Sequence, residues 1–224
     1  MDKKVKEIAI KLLDINQPME VNSGRHSCII ILLKSARYGS GRDLLTGEYK
    51  EPGYNMDGFE EGLFYPHKFS GLISYLIFLE QIGSLFKNAS VAENIEIGKE
   101  GIDRALLYFG GIDDAEIRNP IIALRNSMAH RFGLATQKKP KSGKPYKFTL
   151  EYYDTAKIIT PSIKKWDGVF SDKNEDTNTT VHILALVNLI ERIYEEVKSK
   201  LENDQLDLDI DDGRNELYAR YTIV

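Results

Sequence analysis

The chain has 224 residues, of which 42% are hydrophobic and 29% charged, a composition that fits an ordinary folded domain and excludes a fibrous or disordered chain. Its formal net charge of -4 excludes a general attraction to nucleic acid or anionic lipid, so such binding requires a local basic patch. No linker divides the sequence, and we expect one domain over residues 1–224.

The N-terminal residues do not resemble a secretory signal. Met1–Glu7 is highly charged, and Lys11 interrupts the apolar residues that follow. The longest apolar run, Cys28–Leu33, covers six residues, whereas a membrane span needs about 20. We therefore expect a cytoplasmic protein that makes no contact with a membrane.

Helical periodicity dominates the first half of the chain. Apolar spacing predicts a helix near Val5–Leu13 and a second near Cys28–Ala36, with Asn22 or Ser23 as N-cap of the second. The glycine-rich segment 38–62 then predicts a long surface loop. Two further helices are expected, a central buried one over Phe69–Phe86 and another over Ser90–Phe109 that ends at Gly110 and Gly111.

The helix with the clearest end signals follows Asn119. An asparagine followed by Pro120 is a typical pair for the N-cap and first position of a helix, and Gly133 is suited to a left-handed stop. These signals predict a helix over Pro120–Phe132.

The sequence pattern changes after this helix. Residues 133–179 form an insertion, in which alternation over Tyr146–Tyr153 and a short strand signal at Lys157–Thr160 predict a small β-hairpin. A last long amphipathic helix is expected over Val181–Leu201, and a solvated acidic tail from about residue 204. The expected fold class is a mainly α helical bundle with a small β-hairpin insertion before the last long helix.

Metal-ligating residues are not grouped in the sequence. Cys28 is the only cysteine, and the histidines His26, His67 and His182 lack ligand spacing. The acidic run of Asp207, Asp209 and Asp211 imitates the start of a calcium loop. However, Asp212 stands where such a loop requires glycine, and Tyr218 stands where it requires the final glutamate. We expect no metal site and no cofactor.

One group of residues points to chemistry. Arg125, Asn126 and His130 lie within the helix that follows Asn119. At 100° per residue, Asn126 and His130 share a face away from the apolar side, whereas Arg125 points roughly 140° from His130. Arginine offers a bidentate cation for phosphate oxygens, and histidine transfers protons near neutral pH. Because the two directions diverge on one helix, a symmetric dimer is expected to bring copies of both side chains together.

The Arg-Asn pair followed by His130 resembles the Arg-x4-6-His signature of HEPN domains, many of which are metal-independent endoribonucleases in toxin-antitoxin, abortive-infection and CRISPR-associated systems. The resemblance implies a HEPN-like bundle with catalytic residues Arg125, Asn126 and His130. It also implies RNA as substrate, a homodimer with a composite cleft, and an antitoxin or defence-system partner protein. It covers about Phe69–Phe132 and Val181–Leu201, but not the insertion.

A second interpretation stays open. Arg125 pairs with an acidic neighbour such as Glu116 or Asp114, and His130 only ends its helix. The protein is then a catalytically silent helical module that binds a nucleotide or a protein partner.

A lysine-rich loop follows the helix at a distance of eight residues from His130. It predicts sequence-tolerant binding of RNA, with Tyr146, Tyr152 and Tyr153 available to stack bases. If the loop is only solvated and the RNA is held elsewhere, Arg37, Arg42 and Arg131 are the next candidates. A solvated loop with inward-packed aromatics fits the same sequence. The lysines concerned are Lys138, Lys139, Lys141, Lys144 and Lys147.

Overall fold

The computed structural model describes residues 2–16, 20–22, 24–49, 64–88, 100–136, 143–152 and 155–223. Within them the chain is mainly helical, with 55% helix and small sheets, which confirms the predicted class. The α-helices are α1 (Lys3–Leu12), α2 (Cys28–Gly39), α3 (Phe64–Leu85), α4 (Gly101–Tyr108), α5 (Ala115–Arg131), α6 (Ile183–Glu202) and α7 (Gly213–Tyr221). The strands are β1 (Glu20–Asn22), β2 (Arg25–Ser27), β3 (Phe86–Asn88), β4 (Lys147–Glu151), β5 (Ile159–Thr160), β6 (Asn178–His182), β7 (Leu206–Leu208) and β8 (Thr222–Ile223).

Helix α3 is the central buried helix that the apolar pattern predicted. It packs against α2, α4, α5 and α6, and its Tyr75, Phe78 and Ile82 are fully buried. It begins five residues before the predicted start, because Pro66 is tolerated within the first turn of a helix. Of the helix expected over Ser90–Phe109, only α4 lies in the described residues, since residues 89–99 fall outside them.

Two glycines let α3 and α4 approach closely. A Cβ built on Gly83 would lie 1.8 Å from the carbonyl oxygen of Gly101, so no larger residue fits at this crossing. The close approach brings Glu80 of α3 to the start of α4, where its carboxylate accepts hydrogen bonds from the backbone N–H groups of Gly101 at 3.1 Å and Ile102 at 3.0 Å. Glu80 thus supplies the side-chain cap of α4 from another helix.

The predicted N-cap of α2 is wrong. Ser27 caps the helix, since its Oγ accepts a hydrogen bond from the backbone N–H of Ile30 at 3.1 Å and donates one to the carbonyl of Leu12 at 2.8 Å. Asn22 belongs to β1, which pairs with β2 as an antiparallel ribbon, and Ser23 is outside the described residues.

A buried ion pair orders the first part of the segment expected as a long loop. The Nη2 of Arg37 donates to Glu191 at 2.7 Å, and its Nη1 donates to the carbonyls of Leu44 and Leu45 at 3.0 and 2.8 Å. Arg37 is fully buried in this arrangement. Helix α2 extends to Gly39, a bonded turn follows, and residues 50–63 lie outside the described residues.

The insertion does not form the predicted hairpin. Strands β4 and β5 do not pair with each other, because β6 lies between them, parallel to β4 and antiparallel to β5. The residues of β6 precede α6, so the predicted start of the last long helix at Val181 is two residues early. The apolar residues at the α6 boundary satisfied both a helical and a strand pattern, and pairing with β4 decided between them.

The acidic tail is folded, contrary to the prediction of a solvated segment. Strand β7 pairs with β3, β8 pairs with β2, and α7 packs against α1. Leu206, Leu217 and Tyr221 are buried. Hydrogen bonds from Lys87 and Arg104 outweigh the effect of partial burial and lower the pKa of Asp209. The number of aspartates suggested a solvated segment, but the apolar residues spaced between them pack against the rest of the fold.

Among the described residues, no helix combines the length and apolar character needed to cross a membrane.

Candidate active-site groove on helix α5

Helix α5 starts earlier than its proline suggested. Asp114 is the N-cap, and its Oδ1 accepts a hydrogen bond from the backbone N–H of Glu116 at 2.8 Å. Arg118 ties the first turn to α4 through a 2.6 Å contact from Nε to Oδ1 of Asp103. The predicted start at Asn119–Pro120 is therefore wrong: the cap and the ion pair stabilise an earlier turn, and Pro120 lies inside the helix, where it removes a backbone donor.

The helix ends at a residue that rarely adopts the required conformation. Phe132 has φ 52° and ψ 36°, which is left-handed backbone, and its N–H bonds to the carbonyl of Met128 at 3.0 Å. Gly133, the predicted left-handed residue, has no positive φ. The Oγ of Ser127 donates to the carbonyls of Gly133 and Ala135 at 2.9 and 2.7 Å. These contacts hold the chain against α5, so that the left-handed residue is Phe132, one position before Gly133. Left-handed backbone costs a residue with a Cβ about 1–2 kcal/mol.

The three predicted catalytic residues line one open groove of about 1160 Å³, which we call the α5 groove. Segment 134–136 pairs with 146–148, and this pairing places the start of the insertion opposite the end of α5. The described residues that line the groove are Glu100, Glu116, Asn119, Ile122, Ala123, Arg125, Asn126, Ser127, His130, Arg131, Thr136, Gly143, Lys144 and Tyr146.

A polar network holds the guanidinium of Arg125. Its Nη1 donates to Oδ1 of Asn126 at 2.7 Å, and its Nε is 4.0 Å from Oε2 of Glu80. This Nε is buried and makes no hydrogen bond with a described residue. Asn126 in turn donates from Nδ2 to Oε2 of Glu100 at 3.3 Å. The network leaves the second terminal nitrogen of Arg125 without a hydrogen bond to any described residue, and the side chain 20% exposed.

The acidic partner of Arg125 differs from the ones the sequence suggested. Asp114 caps its own helix, and Glu116 pairs with Lys144. Glu80 and Glu100 come from other parts of the chain, and no local pattern in the sequence marks them as neighbours of α5.

His130 occupies the last turn of α5 and is exposed. Its ring makes no hydrogen bond or ion pair with any described residue. Arg131 is likewise exposed and lines the same groove. An imidazole beside an open cation is suited to a proton transfer at a phosphate group.

The five lysines predicted to bind RNA do not all lie at the α5 groove. Lys144 lines the groove, where its Nζ is 2.7 Å from Oε2 of Glu116, a hydrogen bond that raises the pKa of Lys144. Lys147 does not line it, because its Nζ contacts the carbonyls of Asp172 and Asn174 at 3.2 and 3.0 Å. Lys138, Lys139 and Lys141 lie outside the described residues.

The aromatic and arginine candidates mostly serve the fold. Tyr146 is 7% exposed and stacks on Phe148 at a centroid distance of 5.7 Å, and burial raises its pKa. Tyr152 contacts Lys68, and Tyr153 lies outside the described residues. Arg37 and Arg42 are buried, Arg42 with 2.7 and 2.5 Å bonds to Gly47 and Asn188.

The charge of the α5 groove is mixed. Arg125, Arg131 and Lys144 supply three basic side chains, while Glu100 and Glu116 supply two acidic ones. Within the described part of the chain, no three metal-ligating side chains come together. The groove therefore presents a phosphate group with separate cationic contacts rather than a uniformly positive surface.

Comparison with known proteins supplies no relative: no family model, curated protein or solved structure matches this chain.

Proposed function

We propose that this protein is a metal-independent endoribonuclease of HEPN type, with Arg125, Asn126 and His130 as its site. The observation that supports this most is the shared α5 groove, which is lined by all three side chains and by Lys144 of the insertion. The helical architecture, with the motif late on α5 and a long α6 after the insertion, is compatible with a HEPN-like bundle.

The proposed reaction is an internal transfer at phosphorus. The 2′-OH of the RNA attacks the adjacent phosphorus, a new O2′–P bond forms, and the P–O5′ bond breaks. The 2′-OH loses its proton, and the leaving 5′ oxygen gains one. His130 takes part in this proton transfer, and Arg125 stabilises the charge of the pentavalent phosphorane. The products are a 2′,3′-cyclic phosphate and a 5′-hydroxyl.

In the proposed assembly, a homodimer brings two copies of α5 to one composite cleft. Arg125 and His130 of one copy both line the α5 groove, but they leave the helix in directions roughly 140° apart and so do not converge on one phosphate. A two-fold axis near α5 would place Arg125 of one protomer beside His130 of its partner. In a cell, such an enzyme would act as a toxin or a phage-defence effector and would require an antitoxin or another defence-system protein to restrain it.

The alternative is a catalytically silent binding module, and the Arg125 network favours it. A guanidinium already in contact with Asn126 and near Glu80 connects α5 to α3 and α4, which is a structural role. In that case the groove binds a nucleotide or a protein partner without chemistry.

Cleavage of mixed RNA in EDTA tests the proposal. We expect the wild type to produce cyclic phosphate ends, and His130→Ala and Arg125→Ala to lower the rate at least about a hundredfold while the fold is retained. His26→Ala is the matched control, because His26 lies in β2 and is not among the groove residues. Intact RNA with the wild type, together with measurable nucleotide or protein binding, would establish the silent module instead.

A further inference from the structure

The hydrogen bonds at the end of α5 account for the backbone turn at Phe132, but they do not account for the exposure of its ring. Phe132 is 75% exposed although it holds left-handed backbone. Among the described residues, the only other non-glycine residue with positive φ is Asp204, and aspartate tolerates this conformation far better than a bulky side chain does. A phenyl ring that is both strained and exposed contributes little to folding, so its position suggests a ligand.

A second aromatic ring backs Phe132. Phe69 of α3 is half-buried, and its ring lies 6.3 Å from that of Phe132, with 30° between the planes. The contact fixes Phe132 from one side and leaves most of the ring open. Unlike Tyr146, which is buried, Phe132 therefore presents a flat apolar surface to solvent.

The position of this ring relates it to the α5 groove. Phe132 follows Arg131, which lines the groove, and is two residues from His130. The α-carbons of His130 and Phe132 are at most about 7.6 Å apart. A flat ring beside an exposed guanidinium and an imidazole is complementary to a nucleotide, because the base stacks while the phosphate meets the cation.

We infer that Phe132, backed by Phe69, is the stacking surface for an unpaired base next to the phosphate that enters the α5 groove. The inference rests on the proposed function and specifies its substrate as RNA that is single-stranded at this point, since the stacked neighbours inside a duplex cover both faces of a base. Stacking is tolerant of base identity, so the surface selects for unpaired structure rather than for sequence.

Binding of a fluorescein-labelled, fully 2′-O-methylated single-stranded oligonucleotide tests this inference, because that probe cannot be cleaved. We expect Phe132→Gly and Phe132→Asn to raise the Kd about tenfold or more. Both residues accept left-handed backbone, so neither variant should have a lower Tm than the wild type. Phe132→Trp should retain binding. Phe170→Ala is the matched control, because Phe170 is a 62% exposed ring that lies between β5 and β6, far along the chain from α5.

Two further measurements separate the outcomes. On an abasic oligonucleotide, the wild type and Phe132→Gly should bind equally, because no base is available to stack. An unchanged Kd for Phe132→Gly on the normal probe would overturn the inference, as would a loss of binding that follows dissociation of an oligomer in light scattering, since Phe132 would then contact protein.

The outcomes distinguish failure of the catalytic proposal from failure of the stacking surface. If the oligonucleotide binds through Phe132 but unmodified RNA stays intact in EDTA, the catalytic proposal is overturned and the stacking surface stands. If RNA is cleaved and Phe132→Gly binds normally, only the stacking surface is overturned. If the wild type does not bind the oligonucleotide, the stacking surface is overturned, and cleavage of unmodified RNA in EDTA decides the catalytic proposal by itself.

Discussion

The Nη1 of Arg125 donates a hydrogen bond to Oδ1 of Asn126 at 2.7 Å, although the two residues are adjacent on α5. The amide nitrogen of Asn126 is directed to Glu100, so the asparagine acts as a spacer between a carboxylate and the guanidinium. In the proposed enzyme Asn126 therefore works through Arg125 rather than on the substrate.

This relationship predicts non-additive effects on cleavage. Asn126→Ala should lower kcat about tenfold with little change in KM, and Arg125→Ala at least about a hundredfold. The double variant should be no slower than Arg125→Ala alone, because Asn126 has nothing left to position. Asn16→Ala, at an exposed position that does not line the groove, is the control. Independent, multiplying effects in single-turnover assays would show that Asn126 has its own role.

A composite dimer predicts recovery of activity on mixing. Arg125→Ala and His130→Ala proteins are each expected to be inactive. If each site takes Arg125 from one protomer and His130 from its partner, a mixed dimer contains one intact site and should regain a substantial part of the wild-type rate after subunit exchange. The double variant mixed with wild type is the control for exchange. Persistent inactivity of mixed dimers, verified by mass, would argue against this pairing of protomers.

The two described lysines of the insertion should behave differently. Lys144→Gln should flatten the slope of log affinity against log salt by about 0.7, the value for one phosphate contact on a single strand. Lys147→Gln should leave that slope unchanged and lower the free energy of unfolding by about 1 kcal/mol, since its ammonium bonds to two carbonyls. Fluorescence titrations at several salt concentrations and urea unfolding measure both quantities. Equal slopes for the wild type and Lys144→Gln would show that Lys144 only pairs with Glu116.

Tyr75 predicts a loss of stability in alkali. Burial and the neighbouring Glu191 carboxylate raise the pKa of Tyr75 above its unfolded value of about 10. The folded state then keeps a proton that the unfolded state releases, so this stabilisation is complete below about pH 10 and is lost as the pH rises further.

Tyr75→Phe tests the sign of this effect. The variant should be about 1.5–3 kcal/mol less stable at pH 7, because the hydroxyl donates to Glu191, and its stability should fall less steeply above pH 10. Tyr38→Phe, at a 66% exposed position, is the control. Urea unfolding at several pH values measures the slope, and parallel slopes for both proteins would contradict the assignment.

The folded tail predicts a large effect of one apolar substitution. Leu217 of α7 is fully buried, so Leu217→Ala should lower the free energy of unfolding by about 2–5 kcal/mol. Asp211→Asn, at an exposed position in the same segment, should change it by less than about 0.5 kcal/mol. Equal free energies of unfolding in urea for the wild type and Leu217→Ala would instead indicate a solvated tail.

The sequence was sufficient to predict properties that depend on one continuous segment of the chain. Apolar spacing indicated the helical class and the central helix α3, because a buried helix must be apolar around most of its circumference. The grouping of Arg125, Asn126 and His130 was also visible, since residues on one helix keep their relative directions whatever surrounds them. End signals were less reliable. Asn119–Pro120 and Gly133 have the right chemistry for helix ends, but Asp114 and Phe132 take those positions.

Tertiary structure alone decided which groups surround that motif. Glu100 reaches Asn126 across 26 residues, and Glu80 approaches Arg125 from α3. The pairing of β6 between β4 and β5 and the burial of the acidic tail have the same origin. Each depends on contacts between segments distant along the chain, and the free energy of such contacts outweighs local preference when the two disagree.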